Sequence, residues 1–191
     1  MAPAVSLVVV ARDRATLTLR CLTALARLPD QPAFEVVLVD DGSRDETQAI
    51  LQSIEGDIVA LRNDEPVGFA AACDQGVAAA GGEHVVLLHD DAVPCDGWLA
   101  ALLDTLADDP GIGAAWPRCV DLNGAFLPEA HWLALAVRRA AYEHVGGFAS
   151  TAVAGRPQKL ALLDALRDAG WGVTVASEAI LLLVPDPLAA A

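Results

Sequence analysis

Hydrophobic and polar positions alternate in blocks along the first half of the chain. Short, nearly continuous apolar runs cover residues 5–10, 34–39, 58–61 and 85–88, and segments with apolar residues at helical spacing separate them. Runs of this length, rich in β-branched residues and leucine, are typical of parallel strands that are covered on both faces. The pattern therefore predicts an α/β fold with a mostly parallel sheet flanked by helices.

Helix signals fill the intervals between these runs. Ser43 and Glu46 have the spacing of a capping box, which predicts Ser43 as the N-cap residue of the second helix. The other predicted helices of this half cover residues 17–28, 69–80 and 97–108.

The rhythm changes after Trp116. A predicted strand over residues 131–137 leads into a short helix over 138–144, and an amphipathic helix follows over 160–169. Residues 173–176 and 180–184 are predicted as two final strands. Because no linker or repeat interrupts the chain, we expect one domain over residues 1–191, with an α/β half (1–117) before a mixed half (118–191).

Charge and composition exclude several classes of protein. The net charge of −14 argues against a nucleic-acid partner, since binding a phosphate backbone needs a basic surface. The apolar runs are too short for a transmembrane segment or a signal-peptide core, and the four cysteines are widely spaced. These observations favour a cytoplasmic protein with free thiols. The hydrophobic content of 54% suggests a homo-oligomer or a protein partner.

Two acidic pairs end two of the predicted strands. Asp40-Asp41 follows the run at 34–39, and Asp90-Asp91 follows the run at 85–88 after His89. Ligands of open α/β sheets bind outside the carboxyl ends of the strands, so four carboxylates would meet at the binding edge. A divalent metal that accompanies a phosphate-bearing ligand would offset their mutual repulsion.

Several motifs in this order resemble the family-2 glycosyltransferases of the GT-A fold, which have a Rossmann-like sheet and a mixed acceptor-side half. The resemblance covers nearly the whole chain. Its motifs are Ser6-Leu7-Val8-Val9-Val10, Val36-Val37-Leu38-Val39-Asp40-Asp41-Gly42-Ser43, Gly68-Phe69-Ala70-Ala71-Ala72, Leu87-Leu88-His89-Asp90-Asp91 and Val145-Gly146-Gly147-Phe148.

The resemblance implies a nucleotide-diphosphate sugar as donor and an inverting transfer to an acceptor that is a sugar, a lipid-linked molecule or a protein. It assigns Asp91 as a ligand of Mn²⁺ or Mg²⁺, with His89 in place of the usual first acid or amide. The nucleotide-binding residues that it implies are Ala11, Asp13, Asp40, Asp41, Gly68 and Asp90.

The chain departs from the family pattern where the catalytic base is expected. The usual acidic pair before the last helix falls on Gln158-Lys159, and neither side chain is an ordinary base at neutral pH. Three explanations stay open. In one, Lys159 or Arg156 supports the leaving diphosphate and the enzyme works with little or no metal. In another, the domain is a scaffold that binds a nucleotide or a protein partner without turnover. In the remaining explanation another residue supplies the base, the candidates being Glu129, His131 and Asp164.

Other nucleotide-binding classes fit less well. The loop at 11–16 has no glycine to admit a dinucleotide pyrophosphate, and the chain has no P-loop motif. A nucleotidyltransferase is the nearest enzymatic rival, but it usually depends on a glycine-rich, basic first loop that is missing here.

Overall fold

The computed structural model describes residues 4–28, 32–53, 58–127, 133–152 and 157–183. None of the helices within these ranges has both the length and the apolar character needed to cross a bilayer. In chain order the elements are β1 (Val5–Ala11), α1 (Ala15–Arg27), β2 (Phe34–Asp41), α2 (Thr47–Ser53), β3 (Ile58–Asn63), α3 (Phe69–Ala79), β4 (His84–His89), β5 (Ala92–Pro94), α4 (Trp98–Asp108), β6 (Ile112–Val120), β7 (Ala134–Arg138), α5 (Arg139–His144), α6 (Gly147–Thr151), α7 (Gln158–Asp168) and β8 (Gly172–Leu183).

The described strands form one eight-stranded sheet in the order β3-β2-β1-β4-β7-β6-β8-β5. β1 pairs in parallel with β2 and β4, and β2 pairs in parallel with β3. β7 is antiparallel to both β4 and β6, and β5 is antiparallel to β8. β6 and β8 are parallel. The sheet thus continues through both halves of the chain, and its character changes from parallel to mixed as the sequence pattern predicts.

Side chains of the central strand β1 alternate between two buried clusters, one on each face of the sheet. Leu7 packs in a cluster with Trp98 of α4, whereas Val8 packs in a cluster with Leu162 of α7. This alternation follows from the pleat of a strand. Helices cover both faces, which explains why the strand is buried at every position and apolar at all of them except Ser6. Full burial of a side chain such as Leu162 stabilises the fold by roughly 1.5–3 kcal/mol.

Two adjacent arginines at the junction of β7 and α5 attach the second half of the chain to helices of the first. Arg139 donates hydrogen bonds to the carbonyls of Val77 (3.0 Å) and Ala80 (2.7 Å) at the end of α3. Arg138 donates to the carbonyl of Leu106 in the last turn of α4. A guanidinium at a helix C-terminus satisfies carbonyls that have no partner within the helix and complements the helix dipole.

The N-cap prediction for Ser43 is wrong. α2 begins at Thr47, and the Asp45 carboxylate accepts hydrogen bonds from the Thr47 N–H (2.9 Å) and from its hydroxyl. The Ser43 hydroxyl oxygen instead accepts a hydrogen bond from the backbone N–H of Asp13 (3.0 Å). The Ser43 hydroxyl, to which the local spacing assigned a capping role, is therefore engaged in a tertiary contact with the loop after β1.

The second half differs more from its prediction. The two predicted final strands are one strand, β8, whose pairing shifts register opposite Pro117 and Arg118. Three elements were not predicted: the short strand β5, the strand β6, which contains Pro117, and the helix α6. Proline and the Gly146-Gly147 pair are local breaker signals, and long-range pairing with β8 overrides the proline in β6. The predicted strand residues His131 and Val184 lie outside the described residues.

Candidate active site

The two acidic pairs lie at the carboxyl ends of two strands, at one edge of the sheet. Asp40 and Asp41 end β2, whereas Asp90 and Asp91 follow β4. β1 lies between these strands, and its last residue, Ala11, is buried and in register with Asp40. Parallel pairing of β2, β1 and β4 thus brings together carboxylates that are about 50 residues apart in the chain.

Asp40 is fully buried and stabilises the turn after β2. Its carboxylate accepts a hydrogen bond from the Ser43 N–H (2.8 Å) and forms an ion pair with Arg62. The Arg62 guanidinium also donates to the carbonyl of Ser43 (3.0 Å). The buried charge is therefore compensated by a cation and by a backbone amide.

Asp41 holds the loop that precedes α3. Its carboxylate accepts hydrogen bonds from the N–H groups of Val67 (2.7 Å) and Gly68 (2.9 Å) and from the Asn63 amide (3.2 Å). Gly68 has φ +92°, and a Cβ added there would meet no atom within 4 Å. The loop thus presents open backbone next to the acidic edge, and a ligand could approach it closely.

His89, Asp90 and Asp91 form a compact cluster, with one potential ligand atom from each within 4.8 Å of the others. Arg14 donates to Asp90 Oδ1 (2.9 Å) and to Asp91 Oδ2 (3.0 Å). His89 Nδ1 lies 2.9 Å from Asp91 Oδ1. The other oxygen of Asp90, Oδ2, is buried and has no hydrogen-bond partner within the part of the chain that the structure describes.

These contacts shift the pKa values of two members of the cluster. Burial lowers the pKa of His89, but hydrogen bonds with Asp90 and Asp91 outweigh burial and leave it above 6.5. Burial raises the pKa of Asp91, but His89 and Arg14 outweigh this effect and hold it at about 2. Asp91 is therefore ionised at neutral pH, and the imidazole beside it favours its protonated form.

The chemistry of this donor set fits a divalent cation. An imidazole nitrogen and carboxylate oxygens are ligands that Mn²⁺ accepts, and Mg²⁺ is commonly bound by one or two carboxylates. Asp90 Oδ2 is a buried oxygen that an ion would satisfy. The Arg14 guanidinium already bonds the other oxygen of Asp90 and one of Asp91. An ion would also have to displace the proton of His89. The predicted metal ligands are thus close together, and metal binding stays a prediction.

The loop after β1 reaches across to the β2 turn. Asp13 has φ +51°, and its carboxylate accepts a hydrogen bond from the Arg44 N–H (2.7 Å). A left-handed conformation is tolerated by aspartate more readily than by most residues. A surface cleft of about 620 Å³ opens beside this contact, lined by Asp13, Arg14, Arg44 and their neighbours.

The candidate bases fall in the second half. Glu129 and His131 lie outside the described residues, as does Arg156. Asp164 lies on α7, pairs with Arg167 (3.1 Å), and lines a cleft of about 450 Å³ between α5, α6 and α7. Neither acidic pair contributes to the described lining of this cleft.

Lys159, in the first turn of α7, contacts the acidic edge through an aromatic side chain. Its Nζ atom lies 4.4 Å from the centroid of the Phe69 ring, and that ring stacks on the imidazole of His89 at 5.7 Å. Lys159 is partly buried, contrary to the solvated position that is usual for a lysine near a helix start.

Sequence reasoning assigned no role to Arg14, Arg62 or Phe69. The sequence did contain a signal for the two arginines. Four carboxylates at one edge require nearby cations, and both arginines lie at or near the ends of β1 and β3, the strands that flank β2. No comparable signal marks Phe69, whose role depends on the approach of α7.

Comparisons with known proteins agree with this geometry. A TPR repeat-containing protein of Synechococcus elongatus is 36% identical over 95 residues, which cover 49% of this chain and 22% of that protein. A glucosyl-dolichyl phosphate glucuronosyltransferase of Haloferax volcanii is 29% identical over 119 residues, which cover 59% of this chain and 38% of that protein. The matched region thus spans well under half the length of these relatives.

Among solved structures, a mannosyltransferase from Pyrobaculum calidifontis in complex with GDP-Man and Mn²⁺ superposes with a TM-score of 0.78. The match covers 98% of this chain and 59% of that one at 23% identity, so it supports the fold alone. It confirms the predicted GT-A fold. Residues 6–151 match the sequence profile described as Glycosyl transferase family 2, which is most of the chain. The predicted family is therefore confirmed, and the chain belongs to glycosyl transferase family 2.

Proposed function

We propose that this chain binds a nucleotide-diphosphate sugar at the acidic edge and transfers the sugar, with inversion, to a hydroxyl group of a sugar, a lipid-linked molecule or a protein. The observation that carries the proposal is the cluster of His89, Asp90 and Asp91 beside the open backbone at Gly68, in a member of family 2. The Pyrobaculum mannosyltransferase is bound to GDP-Man and Mn²⁺, which supports a donor of the same chemical class here.

In this proposal residues 1–117 bind the donor and residues 118–191 form the acceptor side. Asp41 would accept a hydrogen bond from an N–H group of the nucleotide base, and Asp13 or Asp40 would contact the base or the ribose. The full set of proposed nucleotide-binding residues is Ala11, Asp13, Asp40, Asp41, Gly68 and Asp90.

The proposed reaction is a single displacement. Asp91 and His89 would hold Mn²⁺ or Mg²⁺, and the ion when bound would supply positive charge beside the diphosphate. The acceptor oxygen attacks the anomeric carbon from the face opposite the diphosphate. The bond from that carbon to the diphosphate oxygen breaks, and its electron pair leaves on the diphosphate. The hydroxyl proton passes to a base, for which Asp164, Glu129 and His131 are the candidates.

Calorimetric titration of the purified protein with UDP, dTDP and GDP tests the donor site directly. We expect one of these nucleotides to bind, and to bind more tightly in Mn²⁺ than in EDTA. If a folded protein binds none of the three in either condition, the proposed function is wrong.

The base is tested by removing each candidate carboxylate or imidazole in turn. Asp164→Asn, Glu129→Gln and His131→Gln should leave nucleotide binding unchanged, and the variant that lacks the base should lose transfer or donor hydrolysis by about 100-fold or more. If all three variants keep the activity of wild type, none of these residues is the base.

A second candidate function is nucleotide or protein binding without turnover. It is favoured by Gln158-Lys159, which replace the expected acidic pair at the start of α7. If the domain descends from an active enzyme, Gln158→Glu with Lys159→Asp should raise donor hydrolysis above the wild-type level. A wild-type protein that already turns over a donor would exclude this candidate.

A further inference from the structure

Lys159 occupies a position from which its charge can act on the donor site. It is the second residue of α7, and its Nζ atom lies 4.4 Å from the Phe69 ring centroid. Phe69 is the first residue of α3, directly after the open backbone at Gly68. The Phe69 ring in turn stacks on His89. A continuous stack of three side chains thus connects α7 with the proposed metal ligands.

The surroundings of Lys159 favour an anionic neighbour. Burial lowers the pKa of the ammonium group, and electrostatic interactions with Cys73 and Asp91 oppose this effect. Burial raises the pKa of the Cys73 thiol strongly, so the thiol is neutral at pH 7. At neutral pH the charge of Asp91 therefore stabilises the ammonium form of Lys159, whereas the Cys73 thiol does not.

The cations around the cluster change its charge balance. The carboxylates of Asp90 and Asp91 carry two negative charges, and Arg14 bonds both of them. Lys159 brings a second positive charge, so Arg14 and Lys159 match the charge of the two carboxylates even before the imidazole of His89 is counted. A diphosphate therefore enters a site in which the carboxylate charge is already neutralised. The negative charge of the diphosphate further favours the ammonium form of Lys159.

We propose that Lys159 binds the diphosphate of the nucleotide donor directly and supplies part of the positive charge that a metal ion would otherwise provide. This inference rests on the proposed donor site and adds to it a diphosphate-binding residue on the acceptor-side helix α7. It gives the replacement of the acidic pair a function, because a cation at this position can oppose the charge that develops on the leaving diphosphate.

Titration of variants distinguishes this inference from the proposed function. Lys159→Met keeps the apolar stem over Phe69 and removes the charge. We expect it to weaken binding of the nucleoside diphosphate in EDTA about tenfold, the scale of one charge-assisted hydrogen bond, and to weaken the matching monophosphate less. Lys159→Arg should remain within about threefold of wild type, as the same cation scale predicts. Arg27→Met removes an exposed cation at the far end of α1 and should not change binding.

A second measurement needs no variant. Lys159 is the only lysine in the chain. An amine-reactive reagent therefore acylates this side chain and the N-terminal amine, and peptide mass spectrometry measures the two sites separately. The nucleoside diphosphate should protect Lys159 from acylation, whereas the nucleoside without phosphate should not.

These measurements distinguish a failure of the role of Lys159 from a failure of the donor site. If the wild-type protein binds a nucleoside diphosphate but Lys159→Met binds it equally well and Lys159 is not protected, the role of Lys159 is wrong and the donor site stands. If the wild-type protein binds no nucleotide, both proposals fail. Weaker diphosphate binding by Lys159→Met, together with protection of the wild-type lysine, supports both.

Discussion

The two acidic pairs of this protein lie at the ends of β2 and β4, the strands on either side of β1, yet their surroundings differ. Asp40 and Asp41 are satisfied largely by backbone amides of the turns that they organise, and Arg62 compensates the charge of Asp40. Asp90 and Asp91 receive their hydrogen bonds from the side chains of Arg14 and His89. One oxygen of Asp90 has no partner among the described residues.

This difference distinguishes carboxylates that hold the backbone of a loop from carboxylates that are free to bind a cation. A carboxylate that accepts several backbone N–H groups fixes a loop, and its removal leaves those groups unsatisfied. A carboxylate held by side chains can exchange them for a ligand without a change in the backbone. The Asp40-Asp41 pair therefore shapes the site, whereas the Asp90-Asp91 pair is available to bind a cation.

Asp40→Ala should produce the largest loss of stability. It leaves the Arg62 guanidinium and the Ser43 amide without their acceptor, and breaking a buried ion pair costs about 3 kcal/mol or more. Urea unfolding followed by circular dichroism gives the free energy of unfolding. A loss below about 1 kcal/mol would mean that Asp40 does not organise the turn.

Asp91→Ala should weaken nucleotide binding and have little effect on stability. We expect nucleotide affinity in Mn²⁺ to fall about tenfold or more, which corresponds to 1.4 kcal/mol. The free energy of unfolding should change by less than about 1 kcal/mol, because Arg14 keeps its bond to Asp90. Calorimetry and urea unfolding measure the two quantities. Asp104→Ala, an exposed carboxylate on α4, should change neither.

Gly68→Ala tests the open backbone that Asp41 holds in place. A φ of +92° strains any residue with a Cβ, so we expect a loss of stability of about 1 kcal/mol. Gly170→Ala is a matched control, because Gly170 has φ +86° and equally open space around it. Both variants should lose similar stability, but nucleotide binding should weaken only in Gly68→Ala. Equal binding by both would remove Gly68 from the donor site.

The two histidines at the ends of β4 extend the comparison to pH. His89, beside the acids, has a raised pKa. Burial and Arg138 lower the pKa of His84 and outweigh Glu83, which raises it. The unfolded chain therefore binds a proton at His84 more readily than the folded chain does. The contribution of His84 to stability is present above pH 6.5 and is lost as the pH falls through its folded pKa.

The corresponding measurement is the unfolding free energy of wild type and His84→Gln at pH 7.5 and pH 5. His89 contributes with the opposite sign, because a raised pKa favours the folded state at low pH, but it does so equally in both proteins. Between pH 7.5 and pH 5 we expect the unfolding free energy of wild type to fall further than that of His84→Gln, by an amount below about 1 kcal/mol. An identical pH response of the two proteins would contradict the lowered pKa of His84.

Much of the donor half could be predicted from local pattern. Nearly continuous apolar runs predicted β1, β2 and β4, and the ends of β2 and β4 predicted where carboxylates would gather. These features are readable because strand periodicity and strand ends are local properties of the chain. The second half was less readable, since β6 contains a proline and its pairing with β8 is a long-range contact.

The sequence by itself determined the family, the alternation of strands and helices, and the acidic edge of the sheet. Only the tertiary structure decided which charges neutralise which. Arg14 reaches residues 76 and 77 positions further along the chain, Ser43 gives its oxygen to the Asp13 amide, and Lys159 comes to lie over Phe69. The partner of a charged side chain depends on which elements approach each other in space, and periodicity along the chain carries no information about that approach.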